Sequence, residues 1–210
     1  MQSSKRKGLL LIISGPSGVG KGALCQALMQ RNSNIKMSVS CTTRAPRVGE
    51  VDGINYFFKS PEEFQQMIEQ GAFLEYIHVF GVDYYGTPRT CVEQQRAAGH
   101  DIILEIDVQG AMQAKQSCPD AVTIFIAPPS MSTLKTRLIG RGTETQQAIE
   151  RRFEAAFEEL QYMRKYDYIV TNDVLDKAVV QTEQIIAAES LRASRQMDLI
   201  ESFQGGFSTL

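Results

Sequence analysis

The chain has 210 residues, 43% hydrophobic and 22% charged, enough to bury one core and carry a small inserted subdomain. A formal net charge of −2 excludes any general attraction to nucleic acid or to an anionic membrane, so anion binding must come from local clusters of Arg and Lys. No apolar run approaches the ~20 residues that span a bilayer. Cys25, Cys41, Cys91 and Cys118 are widely spaced, with two histidines in the whole chain. They read as reduced thiols rather than a metal site, so a cytoplasmic protein is expected. Lys5-Arg-Lys7 before Leu9 to Ile13 has the look of a signal peptide, but the apolar run is short and leads into a glycine loop. No targeting segment is expected.

The first element is the continuously apolar run Gly8-Leu-Leu-Leu-Ile-Ile-Ser14, the pattern of a parallel strand covered on both faces. It leads directly into Gly15-Pro-Ser-Gly-Val-Gly-Lys-Gly-Ala23. The phosphate-loop pattern G-x-x-x-x-G-K-[ST] is met by Gly15, Gly20 and Lys21, while Gly22 stands where a hydroxyl is specified. Ala23, Leu24, Ala27 and Leu28 then repeat at helical spacing, and Arg31 to Asn34 closes the helix. Strand, glycine loop and helix follow in the order this motif requires. Such a loop surrounds phosphate oxygens with backbone N–H groups, adds the positive end of a helix, and supplies a lysine ammonium.

Residues 38–88 break the pattern. They are turn-rich, with short strand candidates Ile54-Asn-Tyr-Phe-Phe58 and Phe73-Leu-Glu-Tyr-Ile77 and one helix starting near Pro61. They read as a small lobe inserted between core segments 1–37 and 89–210, hinged rather than tethered by a linker. Beyond it, strand-like runs at Ile102 to Ile106, Val122 to Ile126 and Tyr168 to Thr171 are separated by helical patterns. The clearest of these is the stripe Ile149, Phe153, Ala156, Leu160 and Met163, which predicts a helix of about 20 residues. The expected fold is α/β, a parallel sheet flanked by helices. Met197 to Leu210, with Gly205 and Gly206, reads as a disordered tail or an interface.

From Leu9 to about Asp173 the sequence resembles the guanylate kinase family. The resemblance rests on the phosphate loop, Ser38-Val-Ser-Cys-Thr-Thr-Arg-Ala-Pro-Arg-Val-Gly-Glu-Val-Asp-Gly-Ile-Asn-Tyr56, Phe73-Leu-Glu75, Tyr84-Tyr-Gly-Thr87, Ile106-Asp-Val-Gln-Gly110, Pro128-Pro-Ser130, Arg141-Gly-Thr-Glu144 and Tyr168-Ile-Val-Thr-Asn-Asp173. It implies a P-loop enzyme of purine nucleotide metabolism that transfers the γ-phosphoryl group of ATP directly, in line, to GMP, giving ADP and GDP with Mg²⁺.

The resemblance also implies a site. Gly15, Pro16, Ser17, Gly18, Val19, Gly20, Lys21, Gly22 and Ala23 would hold the ATP phosphates, and Asn172 would help hold adenine, although an asparagine before a helix is also a cap candidate. Arg44, Arg47, Tyr56 and Tyr85 would hold the GMP phosphate, a set of forked guanidinium and phenol donors suited to a dianion. Guanine presents N1–H and N2–H₂ as adjacent donors, and Glu75 would accept them, with Ser40, Thr87 and Asp107 around the base. Glu50 matches a family acid near the nucleotide, with no contact fixed by sequence. Arg137, Arg141 and Arg152 match a mobile lid at about 132–150, with Arg137 and Arg141 one helical turn apart. Together with Lys21 they would stabilise the charge of the phosphoryl group in flight. Arg151 reads as surface.

Gly22 bears on the metal. The usual Ser or Thr there ligates Mg²⁺, and Ala23 removes the hydroxyl that often follows a Gly-Lys-Gly. An outer-shell carboxylate is then expected at Glu105, where many guanylate kinases have Asp. A second class is kept beside the enzyme: a non-catalytic guanylate-kinase-like module that binds phosphorylated protein partners. The retention of Lys21, Arg141 and Arg152 favours the enzyme. The expected partners are ATP and GMP, with no nucleic acid and no membrane, and no oligomeric state is legible.

Overall fold

The computed structural model describes residues 6–79, 81–139 and 146–206. The first apolar run forms β1 (Leu10–Ser14), every residue of which is buried. Its continuity has a direct cause. Leu11 and Ile13 pack on one face with Leu24 and Leu28 of α1 (Lys21–Arg31), while Leu10 and Ile12 pack on the other with Ile102, Leu104, Ala111 and Ala114. Alternating side chains go to opposite faces, and both faces are covered, so the run from Leu10 to Ile13 is apolar without a break and the polar Ser14 that ends it is buried too.

After α1 come β2 (Ile35–Met37), β3 (Cys41–Thr42), β4 (Phe57–Phe58), α2 (Pro61–Glu69), β5 (Phe73–Val79) and β6 (Asp83–Pro88). They are followed by α3 (Arg89–Ala97), β7 (Asp101–Glu105), α4 (Val108–Ser117), β8 (Val122–Ala127), α5 (Met131–Ile139), α6 (Gln146–Leu160), β9 (Tyr168–Thr171), α7 (Leu175–Ser190) and α8 (Met197–Gly206). The main sheet has the order β2-β7-β1-β8-β9, and all its pairings are parallel. This is the expected α/β architecture, with β1 at its centre and the glycine loop at its carboxyl end, where open parallel sheets bind ligands.

The second sheet, β4-β3-β6-β5, is drawn entirely from residues 41–88. Its small core stacks Phe64 of α2 between Phe73 and Tyr84, at centroid distances of 4.5 and 5.3 Å. α2 starts at Pro61 as predicted, and Ser60 and Glu63 close a capping box around its first turn. β5 carries a register shift between Phe73 and Glu75. The bulge sends three successive side chains to three places: Phe73 into the small core, Leu74 into the main core beside Leu10 and Ile102, and Glu75 into a cleft between the sheets.

Three readings need correction. The strand expected at Ile54 to Phe58 shrinks to Phe57–Phe58, because Ile54 is 70% exposed in a turn whose N–H donates to Val51. The long helix of the Ile149 stripe ends at Leu160 and continues as a 3₁₀ turn over Gln161–Lys165. The C-terminal segment is helical as α8 through Gly206. No helix among the described residues is long and apolar enough to cross a membrane.

Candidate active site

The glycine loop turns through positive φ at Gly15, Gly18 and Gly20. At Gly15 this is compulsory on two counts: φ is +140°, and a Cβ there would stand 2.3 Å from the Ile126 carbonyl oxygen of β8. α1 begins at Lys21 with no side-chain cap on its first turn. Its leading amides are therefore left for a ligand, the arrangement that makes a helix N-terminus an anion site.

Lys21 folds back over the loop. Its ammonium donates to the carbonyls of Gly15 and Pro16. Partial burial lowers its pKa, an effect opposed by the carboxylates of Glu105 and Glu159. Glu105 ends β7 directly across from the loop: a Cβ on Gly22 would lie 3.6 and 3.7 Å from its two carboxylate oxygens. Desolvation raises the Glu105 pKa, and Lys21 counters it.

Glu105 also lines a cleft of about 330 Å³, together with Ser40, Tyr56, Glu75, Ile77, Val79, Tyr85, Gly86, Ile106 and Asp107. On its floor Glu75 is 5% exposed and accepts a 2.5 Å hydrogen bond from the Thr87 hydroxyl, its register partner on β6. Burial raises the Glu75 pKa; the Thr87 bond lowers it and Asp107 raises it again. Asp107 caps α4 by accepting from the Gly110 N–H at 2.7 Å. A Cβ on Gly110 would approach Glu75 Oε2 to 3.1 Å, so the carboxylate would have to shift by a few tenths of an ångström to admit one.

At the other end of the cleft, the Tyr56 and Tyr85 rings meet edge to face at 5.9 Å, and the Arg44 guanidinium lies 5.5 Å from the Tyr56 centroid. Glu50, whose contact the sequence left open, binds Arg44 through both oxygens at 2.9 Å and accepts the Arg47 N–H at 2.7 Å. These bonds hold its pKa low, with the Arg47 N–H the largest contribution. Glu50 thus fixes the loop that carries both arginines. The Arg47 side chain is exposed.

Arg137 of α5 donates to the carbonyls of Asn172 and Asp173 at 2.9 and 3.3 Å, and Arg152 lies half-buried on α6. Arg141 lies outside the described residues, and so does its one-turn spacing from Arg137. Asn172 is no helix cap, because α7 has Val174 at that position; its side chain instead reaches the phosphate loop. A larger cleft of about 510 Å³ sits at the amino ends of the parallel strands. Many of its charges are spent on each other, as in Arg96 with Asp120 and Lys115 with Asp167, and it is remote from the glycine loop.

The sequence matches the family model described as guanylate kinase over residues 7–189. The chain belongs to the guanylate kinase family. It is 52% identical over 197 residues to the guanylate kinase of Caldanaerobacter subterraneus subsp. tengcongensis, spanning 94% of this chain and 95% of that protein. Against the guanylate kinase of Clostridioides difficile it is 49% identical over 195 residues, spanning 93% and 95%. Its fold matches the crystal structure of guanylate kinase from Anaplasma phagocytophilum with a TM-score of 0.72 at 33% identity, covering 94% of this chain and 96% of that one.

Within this guanylate kinase fold, sequence reasoning missed the apolar wall of the cleft, Ile77, Val79 and Ile106, and it missed Glu159 beside Lys21. Glu159 carried no signal, being one acid of the pair Glu158-Glu159. The wall could have been found from β5, whose alternation past Glu75 puts Ile77 and Val79 on one side.

Proposed function

We propose that the chain transfers the γ-phosphoryl group of ATP to the phosphate of GMP, with the glycine loop as donor site and the Glu75 cleft as acceptor site. The observation that carries this reading is the position of Glu105, which faces Gly22 of the loop and lines the cleft with Glu75, Tyr56 and Tyr85. Donor and acceptor sites share a wall, so movement of the acceptor lobe can bring two phosphate groups together. In this reading Glu75 accepts the guanine N–H donors, Thr87 fixes its carboxylate, and Ser40 and Asp107 border the base. Arg44, Arg47, Tyr56 and Tyr85 hold the acceptor phosphate. Lys21 exchanges its carbonyl partners for nucleotide phosphate, and Arg137, Arg141 and Arg152 close over the transferring group and exclude water. Residues 38–88 act as the moving acceptor lobe, in a cytoplasmic enzyme.

The chemistry is positioning and charge stabilisation, with no general base. A coupled assay with Mg-ATP and each of GMP, AMP, CMP and UMP tests the reading. Fast turnover is expected with GMP alone. Binding of GMP without formation of GDP would instead favour the protein-binding module.

The residues present suit Mg²⁺ as an outer shell: Glu105 is a hard oxygen donor exposed toward the loop, and Gly22 supplies no ligand. When bound with ATP, the ion would neutralise phosphate charge. A Ser at position 22 fits without displacement, since its Cβ contacts to Glu105 are ordinary. Gly22→Ser is therefore expected to change the Mg²⁺ concentration for half-maximal rate by less than about threefold, since its hydroxyl replaces only one water. Glu105→Gln is expected to raise it about tenfold. A Mg²⁺ titration of kcat at saturating GMP reads both. A hundredfold gain for Gly22→Ser with no effect of Glu105→Gln would reverse this assignment of the metal environment.

A further inference from the structure

We propose that Asn172 is a positioning residue for the donor site, holding the phosphate loop in its anion-binding shape through the Val19–Gly20 peptide; this rests on the reading of that loop as the ATP phosphate site. Asn172 follows β9 and is 6% exposed. Its side-chain amide donates to the Val19 carbonyl at 2.8 Å, a buried bond joining residues 153 positions apart. Its backbone is fixed as well. The N–H donates to Ala127 at 2.9 Å, extending the β8–β9 ladder, and the carbonyl accepts from Arg137. The amide that reaches the loop is therefore mounted on the sheet.

The consequence for the loop follows from peptide geometry. No cis peptide bond occurs among the described residues, so a carbonyl held on one side of the Val19–Gly20 unit turns the Gly20 N–H to the opposite side. Pinning Val19 O to Asn172 thus sets the direction of the amide that precedes the uncapped first turn of α1. Gly20 is matched to this contact. Its φ is +96°, and a Cβ there would stand 2.6 Å from Asn172 Nδ2, so any side chain at position 20 would expel the amide.

A second side chain also ties the loop carbonyls. Among the described residues these ties are Lys21 to Gly15 and Pro16, and Asn172 to Val19. Lys21 must release its carbonyls to reach a phosphate, whereas Asn172 has no such duty. When the donor site fills, Asn172 is the tie that remains. This contact is distinct from the adenine contact implied by family resemblance, because here an N–H of the side-chain amide is given to a loop carbonyl.

The test separates phosphate from base. Asn172→Ala removes the tie, and Asn172→Asp keeps the size while setting a carboxylate oxygen against the Val19 carbonyl. Calorimetric titration measures the Kd of inorganic tripolyphosphate, which has no adenine, and of Mg-ATP; steady-state kinetics give KM for GMP. Both Kd values are expected to rise about tenfold and by the same factor in either variant, with KM for GMP unchanged. Weaker ATP binding with unaltered tripolyphosphate binding would overturn the proposal in favour of an adenine contact. A lower melting temperature with both Kd values unchanged would reduce Asn172 to a structural residue and equally overturn it. If Asn172→Ala does not fold, Asn172→Asp carries the same comparison. The binding readout needs no turnover, so a failure of the kinase reading shows separately, as inactive wild-type protein.

Discussion

Replacing Lys21 by methionine is expected to lower kcat on the order of 10³-fold or more, while the melting temperature of the free protein at pH 7 stays the same or rises. The first half follows from the position of the ammonium at the mouth of a loop whose other donors are neutral amides. The second half follows from its pKa, which burial lowers. Below that lowered value the lysine is charged in both the folded and unfolded chain, and the folded state bears the desolvation cost. The cost fades as pH rises through the lowered value toward the ordinary 10.5. Methionine keeps the aliphatic length and removes the charge, so any advantage in melting temperature should be present at pH 7 and shrink near pH 10. Turnover equal to wild type would show that the glycine loop is not the donor site. A melting temperature much below wild type would show that the bonds to Gly15 and Pro16 outweigh desolvation.

How much of this was legible in the sequence depended on whether an element owes its form to its own residues or to its partners. β1 was legible because both faces of the strand are covered, which writes an unbroken apolar run. The glycine loop was legible because positive φ and close approach to β8 admit little except glycine. β3 was not, and β4 was legible only as part of the longer run Ile54 to Phe58; each has two residues and is defined by pairing Cys41 with Phe57 and Thr42 with Phe58. The β5 bulge was invisible for the same reason, yet it decides that Glu75 faces the cleft while Leu74 faces the core. In the site, residue types were legible and pairings were not. Glu50 read as an acid near the nucleotide, whereas the structure shows it gripping Arg44 and the Arg47 N–H. Asn172 read as a cap or an adenine contact, and only the fold brings it to Val19.

Glu75→Gln is expected to lower kcat/KM for GMP on the order of 10²-fold or more, to change activity with AMP far less, and to stabilise the free protein. The wild-type carboxylate offers acceptors alone, and guanine presents two adjacent donors to it. Glutamine keeps the shape and one acceptor but sets an amide donor against a guanine donor in a buried site, where a mispaired polar group is costly. The Thr87 hydroxyl, 2.5 Å from Oε1, can also donate to the glutamine oxygen, in a weaker bond without charge assistance, so the orientation of the side chain is retained. Stability moves the other way because burial raises the Glu75 pKa. Between the ordinary value near 4.5 and the raised one, the folded chain holds a proton that the unfolded chain has lost. Stability contributed by this group therefore falls as pH rises through that window and stays low above it. Glutamine has no charge to desolvate, so the variant should melt higher than wild type at pH 7, with the difference vanishing below about pH 4. Kinetics with GMP and AMP, alongside thermal melts from pH 4 to pH 8, read both effects. Retained selectivity for GMP would remove Glu75 from guanine recognition, and a lower melting temperature at pH 7 would show that the carboxylate is stabilised in the free cleft rather than held ready for the base.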